Sequence, residues 1–330
     1  MKRPTAAGTA AAIAVVVLVA GLFVPLPLFV IAPGSAVSVG ERVTFAGARD
    51  ELSGELLLTT VRLFRSNALG VVQAWVSRSH DLLTEGEVLP EGVDPEALEE
   101  AQRAMFRESS EVAAAVGLRR AGEQVEVSGQ GARIIQLSAG SPASEVLQVG
   151  DVIVAVDGRP IEVASDLVGA LGARAEGEEV ALTIRRDGAP SEVPVALGTV
   201  EGLDRPGLGV AVSTVDLALS LPFSVEVDQG RIGGPSAGLM IALTVYDLAD
   251  PGDLTVGRRI AGTGTIDLNG GVGPVGGVDA KVVAAREAGA TVFLVPEYEA
   301  SLAREVAGGD LEVVPVATLD DAIAALQEAA

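Results

Sequence analysis

A serine in a tight glycine bend is the residue of this sequence best suited to covalent chemistry. Ser236 follows Gly233, Gly234 and Pro235, and the run that it opens, "SAGLMIALTVYDLA", predicts a buried helix. Backbone N–H groups at a helix start lack partners, so they can stabilise the oxyanion that forms when a serine attacks a carbonyl. A plain N-cap serine after a glycine turn is, however, the commoner use of this pattern.

The base that would take the serine's proton has to be something other than the usual histidine. The one histidine, His80, lies far upstream in a polar stretch (residues 79–95), and we interpret it as solvated surface. Of the 23 lysines and arginines, only Lys2 and Lys281 are lysines, which leaves 21 arginines. Arginine supplies charge but cannot give up its proton, so a site that needs a neutral amine must keep lysine. GC-rich coding explains the scarcity of lysine but not the position of Lys281, in the first turn of a predicted helix whose dipole disfavours an ammonium.

Composition excludes several classes of function. With 330 residues and 48% apolar content, the chain can form two modest domains with real cores. A net charge of -22 argues against nucleic-acid binding, which requires a basic surface. Because the chain has no cysteine and one histidine, we expect no disulfide, no thiolate or zinc site, and no metal or other cofactor.

The N-terminus predicts a membrane anchor. Lys2 and Arg3 precede an uncharged run that includes "AAIAVVVLVAGLFVPLPLFVI", which is longer than the apolar core of a signal peptide. We therefore expect a cytoplasmic tail (1–7), a transmembrane helix (8–32) in contact with membrane lipid, and all later residues outside the cytoplasm, as in a single-pass protein of the cell membrane. A cleavable signal peptide, with "GSA" (34–36) as the cleavage site, is the alternative.

Strands and a helix are predicted over residues 40–122. The stretches "ELLLTTVRLF" and "GVVQAWV" (70–76) are rich in β-branched and aromatic residues and read as strands. A helix should begin after Asp94, a good N-cap, with Pro95 in its first turn, and should end near Gly117.

Residues 124–198 have short strands, an Asp-Gly hairpin turn in "RDGAP" and one short amphipathic helix in "VASDLVGALGA". The core "AGSPASEVLQVGDVIVAVDGRPI" resembles the PDZ domains of extracytoplasmic proteases. The resemblance implies a module that binds peptide tails as an added strand, with the carboxylate loop near "SGQGARI". That segment lacks the usual apolar signature of the loop, so a module that serves only as scaffold is the alternative.

Residues 203–330 resemble the proteolytic domain of Lon proteases. "GGPSAG" matches the serine motif, and "GTGTIDLNGGVGPVGGVDAK" matches the block that carries a lysine, with Lys281 45 residues after Ser236. The resemblance implies a Ser236–Lys281 dyad, supported by Gly234, Pro235 and Ala237 of the serine motif. It also implies that a threonine holds the lysine, Thr263 by position with Thr265 as the competitor. Gly233 departs from the acidic residue that Lon proteases often have three residues before the serine.

The sequence therefore predicts an α+β protein with an N-terminal transmembrane helix, a PDZ-like domain and a Lon-type proteolytic domain. The PDZ-like segment is either inserted in the proteolytic domain, which we favour, or in series with it. Residues 40–122 would form the first part of that proteolytic domain. No Walker A or S-x-x-K pattern occurs, so we expect an ATP-independent serine endopeptidase that cleaves exposed or unfolded polypeptides outside the cytoplasmic membrane. The Lon resemblance also suggests a homo-oligomer. The alternatives are a PDZ scaffold or adaptor that no longer cleaves and a signal-peptidase-like Ser-Lys hydrolase.

Overall fold

Two compact units make up the computed structural model. It describes residues 25–49, 51–67, 70–71, 74, 80–88, 94–138, 140–172, 174–199 and 206–328. Unit 2 is continuous, from Gln124 to Pro222, whereas unit 1 combines the described residues up to Glu123 with those from Phe223 onward.

The first segment of unit 1 contains four strands, a short helix and a long helix among the residues that the structure describes. Its elements are β1 (Leu28–Ser38), β2 (Val43–Phe45), β3 (Glu55–Arg65), β4 (Asp81–Thr84), α1 (Glu85–Val88) and α2 (Pro95–Arg120). The predicted start of α2 is confirmed, because the Asp94 side chain accepts a hydrogen bond from the Glu96 N–H and Pro95 follows directly. The helix runs three residues past Gly117.

The predicted strand at 70–76 is wrong where the structure describes it. Residues 70, 71 and 74 are helical, and the other residues of that stretch lie outside the described chain. A short apolar run does not by itself distinguish a buried strand from a buried helix.

The membrane anchor predicted over residues 8–32 is also wrong. Within the described ranges, no helix combines the length and apolar composition that crossing a bilayer requires. Residues 28–32 belong instead to β1, which pairs with β3 and β4, and Val30 and Ala32 are buried in a small apolar cluster with Ala74. The alternative cleavage site (34–36) lies in the same strand. The rest of the predicted anchor, up to residue 24, and the tail 1–7 lie outside the described residues. Single-pass membrane localisation and contact with membrane lipid depended on this helix and are not supported.

Unit 2 is built around a mainly antiparallel sheet with one short helix. Its elements are β5 (Glu126–Ser128), β6 (Ala132–Leu137), a 3-10 turn (Pro142–Glu145), β7 (Val152–Val156), β8 (Arg159–Pro160), α3 (Ala164–Leu171), β9 (Glu179–Arg186), β10 (Ala189–Ala196), β11 (Val210–Thr214) and β12 (Ala218–Ser220). The main sheet has the order β10-β9-β7-β6-β11, so β11 is an edge strand. The predicted hairpin turn is confirmed, with φ of 50° at Asp187 and 82° at Gly188.

The second segment of unit 1 alternates strands with helices. Its elements are β13 (Val225–Val227), α4 (Gly238–Ala249), β14 (Arg259–Gly262), β15 (Thr265–Ile266), β16 (Val272–Gly273), α5 (Val278–Glu287), β17 (Val292–Pro296), a 3-10 turn (Glu297–Glu299), α6 (Ala300–Ala307), β18 (Glu312–Val316) and α7 (Leu319–Glu328).

One mixed sheet joins the two segments of unit 1, with the order β18-β17-β14-β3-β1-β4. The strands β18, β17, β14 and β3 are parallel, whereas β1 runs antiparallel to β3 and β4. Strand β3 extends past the end of β14, since Leu58 pairs with Gly262, the last residue of β14. Residues after the carboxyl end of β14 therefore lie beside the second half of β3, where parallel sheets commonly carry ligand sites.

Candidate active site

Contacts with α2 hold the loop that carries Ser236. The Gly234 N–H donates to the Gln102 carbonyl oxygen at 2.8 Å, and the Ser109 hydroxyl donates to the Pro235 carbonyl oxygen at 3.0 Å. Gly234 has a φ of 78°, which side chains rarely adopt, and a Cβ there would lie 3.0 Å from the Gln102 side chain. The bend before the serine thus depends on glycine and on a helix more than 120 residues upstream.

Ser236 lies in a turn just before α4, rather than at the first residue of the helix as its motif predicts. The helix begins at Gly238, and Ala237 occupies the N-cap position without a side-chain hydrogen bond. The Ser236 side chain is half-buried, and its carbonyl oxygen accepts hydrogen bonds from the Gly264 N–H at 3.0 Å and the Thr263 hydroxyl at 3.2 Å. The serine backbone is therefore fixed from the β14 side while its hydroxyl stays available.

Lys281 is buried in the first turn of α5, with 3% of its surface exposed. The helix begins after Gly277, which has the left-handed φ of 64°, and the Lys281 N–H donates to the Gly277 carbonyl at 3.0 Å. The amine Nζ donates to the Thr263 hydroxyl oxygen at 3.1 Å. Among the described residues, this hydrogen bond goes to Thr263 and not to its competitor Thr265.

Thr263 connects the lysine to the serine. It follows β14, is 1% exposed, accepts from Lys281 Nζ and donates its own proton to the Ser236 carbonyl oxygen. This geometry fixes the direction of the threonine hydroxyl, because its one proton is used on the serine side. The lysine can thus reach this oxygen only as a donor.

Burial lowers the pKa of Lys281 to about 8, from an ordinary value of 10.5. Removal of the ammonium from water causes the shift, and the negative charge of Glu299 opposes it. An amine with this pKa is partly neutral near pH 7 to 8, and a neutral amine can accept a proton.

Two backbone N–H groups beside the serine remain available for an oxyanion. In the described chain, the N–H of Gly238 donates to Pro235 and that of Leu239 to Gly264, whereas the N–H groups of Ser236 and Ala237 have no protein acceptor. Both residues line the same cavity as Lys281. A serine hydroxyl, an amine and free N–H groups around one cavity are the groups that acyl transfer requires.

The cavity that contains these groups has a volume of about 1050 Å³ and lies within unit 1. Gly234, Pro235, Ser236, Ala237 and Lys281 line it from the second segment. Strands β1 and β3 of the first segment line it as well, together with three arginines, Arg42, Arg62 and Arg231. Within the described ranges, no group of three or more metal-ligating side chains could hold a metal ion.

Sequence reasoning missed several of these residues. Gln102 and Ser109 lie on α2, which carries no motif, and nothing in the sequence connects them with Ser236. A Cβ at position 233 would lie 3.1 Å from the Gln102 Cβ, a tight contact that a side chain at this position would have to relieve. The cavity arginines carried no sequence signal either, because the chain has 21 arginines in all.

The loop predicted to bind a peptide carboxylate, near residues 128–134 of unit 2, is engaged internally. The Gln130 N–H donates to Val215 and the Gly131 N–H to Glu162, at 2.8 and 2.9 Å. These two N–H groups are therefore not free to receive a carboxylate, and they do not support the predicted position of the loop.

Comparisons with known proteins match part of each unit to a known domain family. Residues 118–197 match the PDZ domain family, and residues 223–328 match the Lon protease (S16) C-terminal proteolytic domain. The chain therefore carries a PDZ domain and a Lon-type proteolytic domain. Both predicted domain types are confirmed by these matches, and the second indicates a peptidase.

The relatives are similar over parts of this chain. Lon protease 2 of Bacillus subtilis is 29% identical over 117 residues, which are 35% of this chain and 20% of that protein. A DegP-like periplasmic serine endoprotease of Pseudomonas putida is 32% identical over 136 residues, 36% of this chain and 28% of that protein. The PDZ domain of an SdrC-like protein from Listeria monocytogenes is 20% identical, with 26% of this chain and 92% of that one covered and a TM-score of 0.25. The chain thus spans less than a third of the length of these two curated relatives.

Proposed function

We propose that this chain is a serine endopeptidase in which Ser236 is the nucleophile and Lys281 the general base. One observation carries the proposal. A buried amine whose pKa is lowered to about 8 opens on the same cavity as Ser236 and is tied to the serine backbone through Thr263. A serine needs such a base because its own hydroxyl is a weak nucleophile near neutral pH.

In the proposed reaction the Ser236 oxygen attacks the carbonyl carbon of a peptide bond, and its proton passes to the neutral amine of Lys281. The N–H groups of Ser236 and Ala237 stabilise the oxyanion. The Lys281 ammonium then donates its proton to the leaving amine, and an acyl-enzyme remains. Water attacks the ester, gives its proton to Lys281 and releases the carboxyl product, after which Ser236 recovers its proton.

The substrates would be exposed or unfolded segments of polypeptides. The cavity is open enough for an extended chain, and no Walker A pattern occurs in the sequence, so this chain would cleave without hydrolysing ATP itself. We also propose that the two segments of unit 1, up to Glu123 and from Phe223 onward, form one catalytic domain into whose sequence the PDZ domain is inserted, because β3 pairs with β14 and the Thr59 hydroxyl donates to the Gly262 carbonyl. Residues 206–222, which the sequence placed in the proteolytic domain, belong to unit 2. The homo-oligomer stays a prediction, which light scattering of the purified chain would test.

The PDZ domain would hold peptide tails at the edge strand β11, a different position from the one that the sequence suggested. Glycine residues 207 and 209 precede β11, and within the described chain the N–H groups of Leu208 and Gly209 have no protein acceptor. Helix α3 packs beside β11, and the Ala164 N–H donates to the Thr214 hydroxyl at 3.0 Å. A peptide added to β11 would therefore lie along α3, with its carboxylate at these N–H groups.

The decisive experiment compares the full chain with its Ser236→Ala variant on a fluorescently labelled unfolded protein and on short peptides. We expect loss of cleavage with little loss of stability, below about 0.5 kcal/mol, because the described hydrogen bonds of Ser236 go to its backbone carbonyl and not to its hydroxyl. Ser301→Ala, at an exposed position of α6, is the matched control. Cleavage by Ser236→Ala at the wild-type rate would exclude Ser236, and no cleavage by the wild type would favour the PDZ adaptor.

A further inference from the structure

The charged side chains that line the active-site cavity are all basic. The chain has 45 acidic and 23 basic residues and a net charge of -22. The charged lining residues are nevertheless Arg42, Arg62, Arg231 and Lys281, with no Asp or Glu among the described residues of the lining. Basic side chains that line a cavity attract negatively charged ligands, even in a protein whose net charge is negative.

One of the arginines is largely neutralised. Arg42 Nη1 lies 2.9 Å from a carboxylate oxygen of Asp228 and also donates to the Asp228 carbonyl oxygen. Because the two opposite charges lie this close together, the Arg42–Asp228 pair adds little net charge to the cavity wall.

The other two arginines have no such partner. In the described part of the chain, no carboxylate lies within 4 Å of Arg62 or Arg231. Arg62 donates from Nε to the Pro33 carbonyl oxygen at 2.9 Å, which orients the guanidinium and leaves both of its terminal nitrogens for another acceptor. Arg231 is exposed and lies on the same loop as Ser236, five residues before it.

The positions of these two arginines connect them with the reaction. Arg62 lies in the part of β3 that extends past β14, and Arg231 lies on the serine loop, so they reach the cavity from different segments of unit 1. A guanidinium with free terminal N–H groups binds a carboxylate through two parallel hydrogen bonds. A substrate segment that lies across Ser236 therefore meets an unpaired positive charge from each of two elements.

We infer that the cavity selects polypeptide segments with Asp or Glu close to the cleaved bond, and that Arg62 and Arg231 are the specificity-determining residues. The inference rests on the proposed peptidase function and adds a substrate class to it. The overall negative charge of the protein repels acidic peptides at long range, so the preference arises from short-range pairing inside the cavity.

The test uses pairs of blocked internal peptides that differ only by Glu against Gln, or Asp against Asn, next to the cleaved bond. We expect wild-type kcat/KM to favour the acidic peptide about tenfold to thirtyfold in 0.1 M salt, with about fivefold from each arginine. Arg62→Gln and Arg231→Gln should each reduce the ratio about fivefold, and the double variant should remove it. The preference should also shrink toward 1 M salt, because the screening length falls from about 10 Å to about 3 Å.

Arg304→Gln is the matched control, since Arg304 is an exposed arginine of α6 outside the cavity, and it should keep the wild-type ratio. Equal kcat/KM for the paired peptides in the wild type would overturn the inference and leave the peptidase proposal intact. The same holds if the double variant keeps the preference. If no peptide is cleaved, the peptidase proposal fails, and binding of the paired peptides to the Ser236→Ala variant, measured by fluorescence anisotropy, decides the charge preference separately.

Discussion

The proposed role of Lys281 as general base predicts a specific pH dependence of peptide cleavage. Burial lowers the pKa of its amine to about 8, so about 10% of the amine is neutral at pH 7 and about 90% at pH 9. At the ordinary value of 10.5, only about 0.03% would be neutral at pH 7. The protein environment therefore supplies about 300 times more of the base form at neutral pH.

We expect kcat/KM for a short neutral peptide to rise about tenfold between pH 7 and pH 9, with one limb of apparent pKa about 8. Lys281→Arg should lose nearly all activity at every pH, although it keeps the positive charge, because arginine cannot accept the proton of Ser236. The assay measures the initial rate of hydrolysis of a fluorogenic peptide. The peptide is too short to bind the PDZ domain and the active-site cavity at the same time.

Arg304→Lys is the control for exchange of a cation, since its side chain is exposed and lies outside the cavity. It should keep both the rate and the pH limb. If Lys281→Arg retains most of the activity with the wild-type profile, Lys281 is not the base. A wild-type limb near pH 10 would show instead that burial does not lower the pKa of the amine as the structure indicates.

Two further predictions concern the same buried cluster. The pKa of Lys281 is lower in the folded protein than in the unfolded chain, so the unfolded chain binds more protons between about pH 8 and pH 10.5, and wild-type stability should rise with pH across that window. Lys281→Met, measured by urea unfolding, should raise the free energy of unfolding at pH 7 by up to about 3 kcal/mol and should abolish the increase of stability with pH. A Lys281→Met variant that is less stable than the wild type at pH 7 would contradict the lowered pKa. Thr263→Val removes the hydroxyl that joins Lys281 to Ser236, so we expect kcat to fall about 10- to 100-fold because the amine is no longer held in position. The apparent pKa of the pH limb should also fall, because the ammonium form loses a hydrogen-bond acceptor. Thr265→Val should leave the limb in place, and an equal shift in both variants would mean that Thr263 does not position the lysine.

Local sequence patterns predicted the elements that local physics controls. The start of α2 at Asp94 and Pro95 and the hairpin turn at Asp187 and Gly188 depend on capping and on backbone preferences of a few neighbouring residues. The matches to the PDZ and Lon families were also visible as motifs. In each case the information lies within a short stretch of chain.

Apolar runs were misjudged because their secondary structure depends on what packs against them. The run at residues 28–32 has the composition of a membrane helix, yet it forms part of β1, which pairs with β3 and β4. The residues that pair with it, and Ala74, which packs against its buried side chains, lie well downstream in the sequence. Apolar composition predicts that such a run is buried away from water, but it does not predict whether the run lies in a protein core or in a lipid bilayer.

The sequence by itself was enough to select the candidate catalytic residues. It singled out Ser236 by its glycine bend and Lys281 because an amine cannot be replaced by arginine where a proton must be taken up. It also restricted the supporting threonine to Thr263 or Thr265. These choices depend on covalent chemistry and motif spacing, both of which are properties of the chain alone.

Only the tertiary structure decided the environment of those residues. The choice of Thr263, the burial that lowers the pKa of Lys281, the support of Gly234 by Gln102 and the arginines of the cavity all bring together residues from distant parts of the chain. A pKa shift depends on how much water is removed and which charges remain nearby, and both quantities are set by packing between elements. The proposed reactivity of the two residues therefore depends on the folded unit, although the residues themselves could be selected from the sequence.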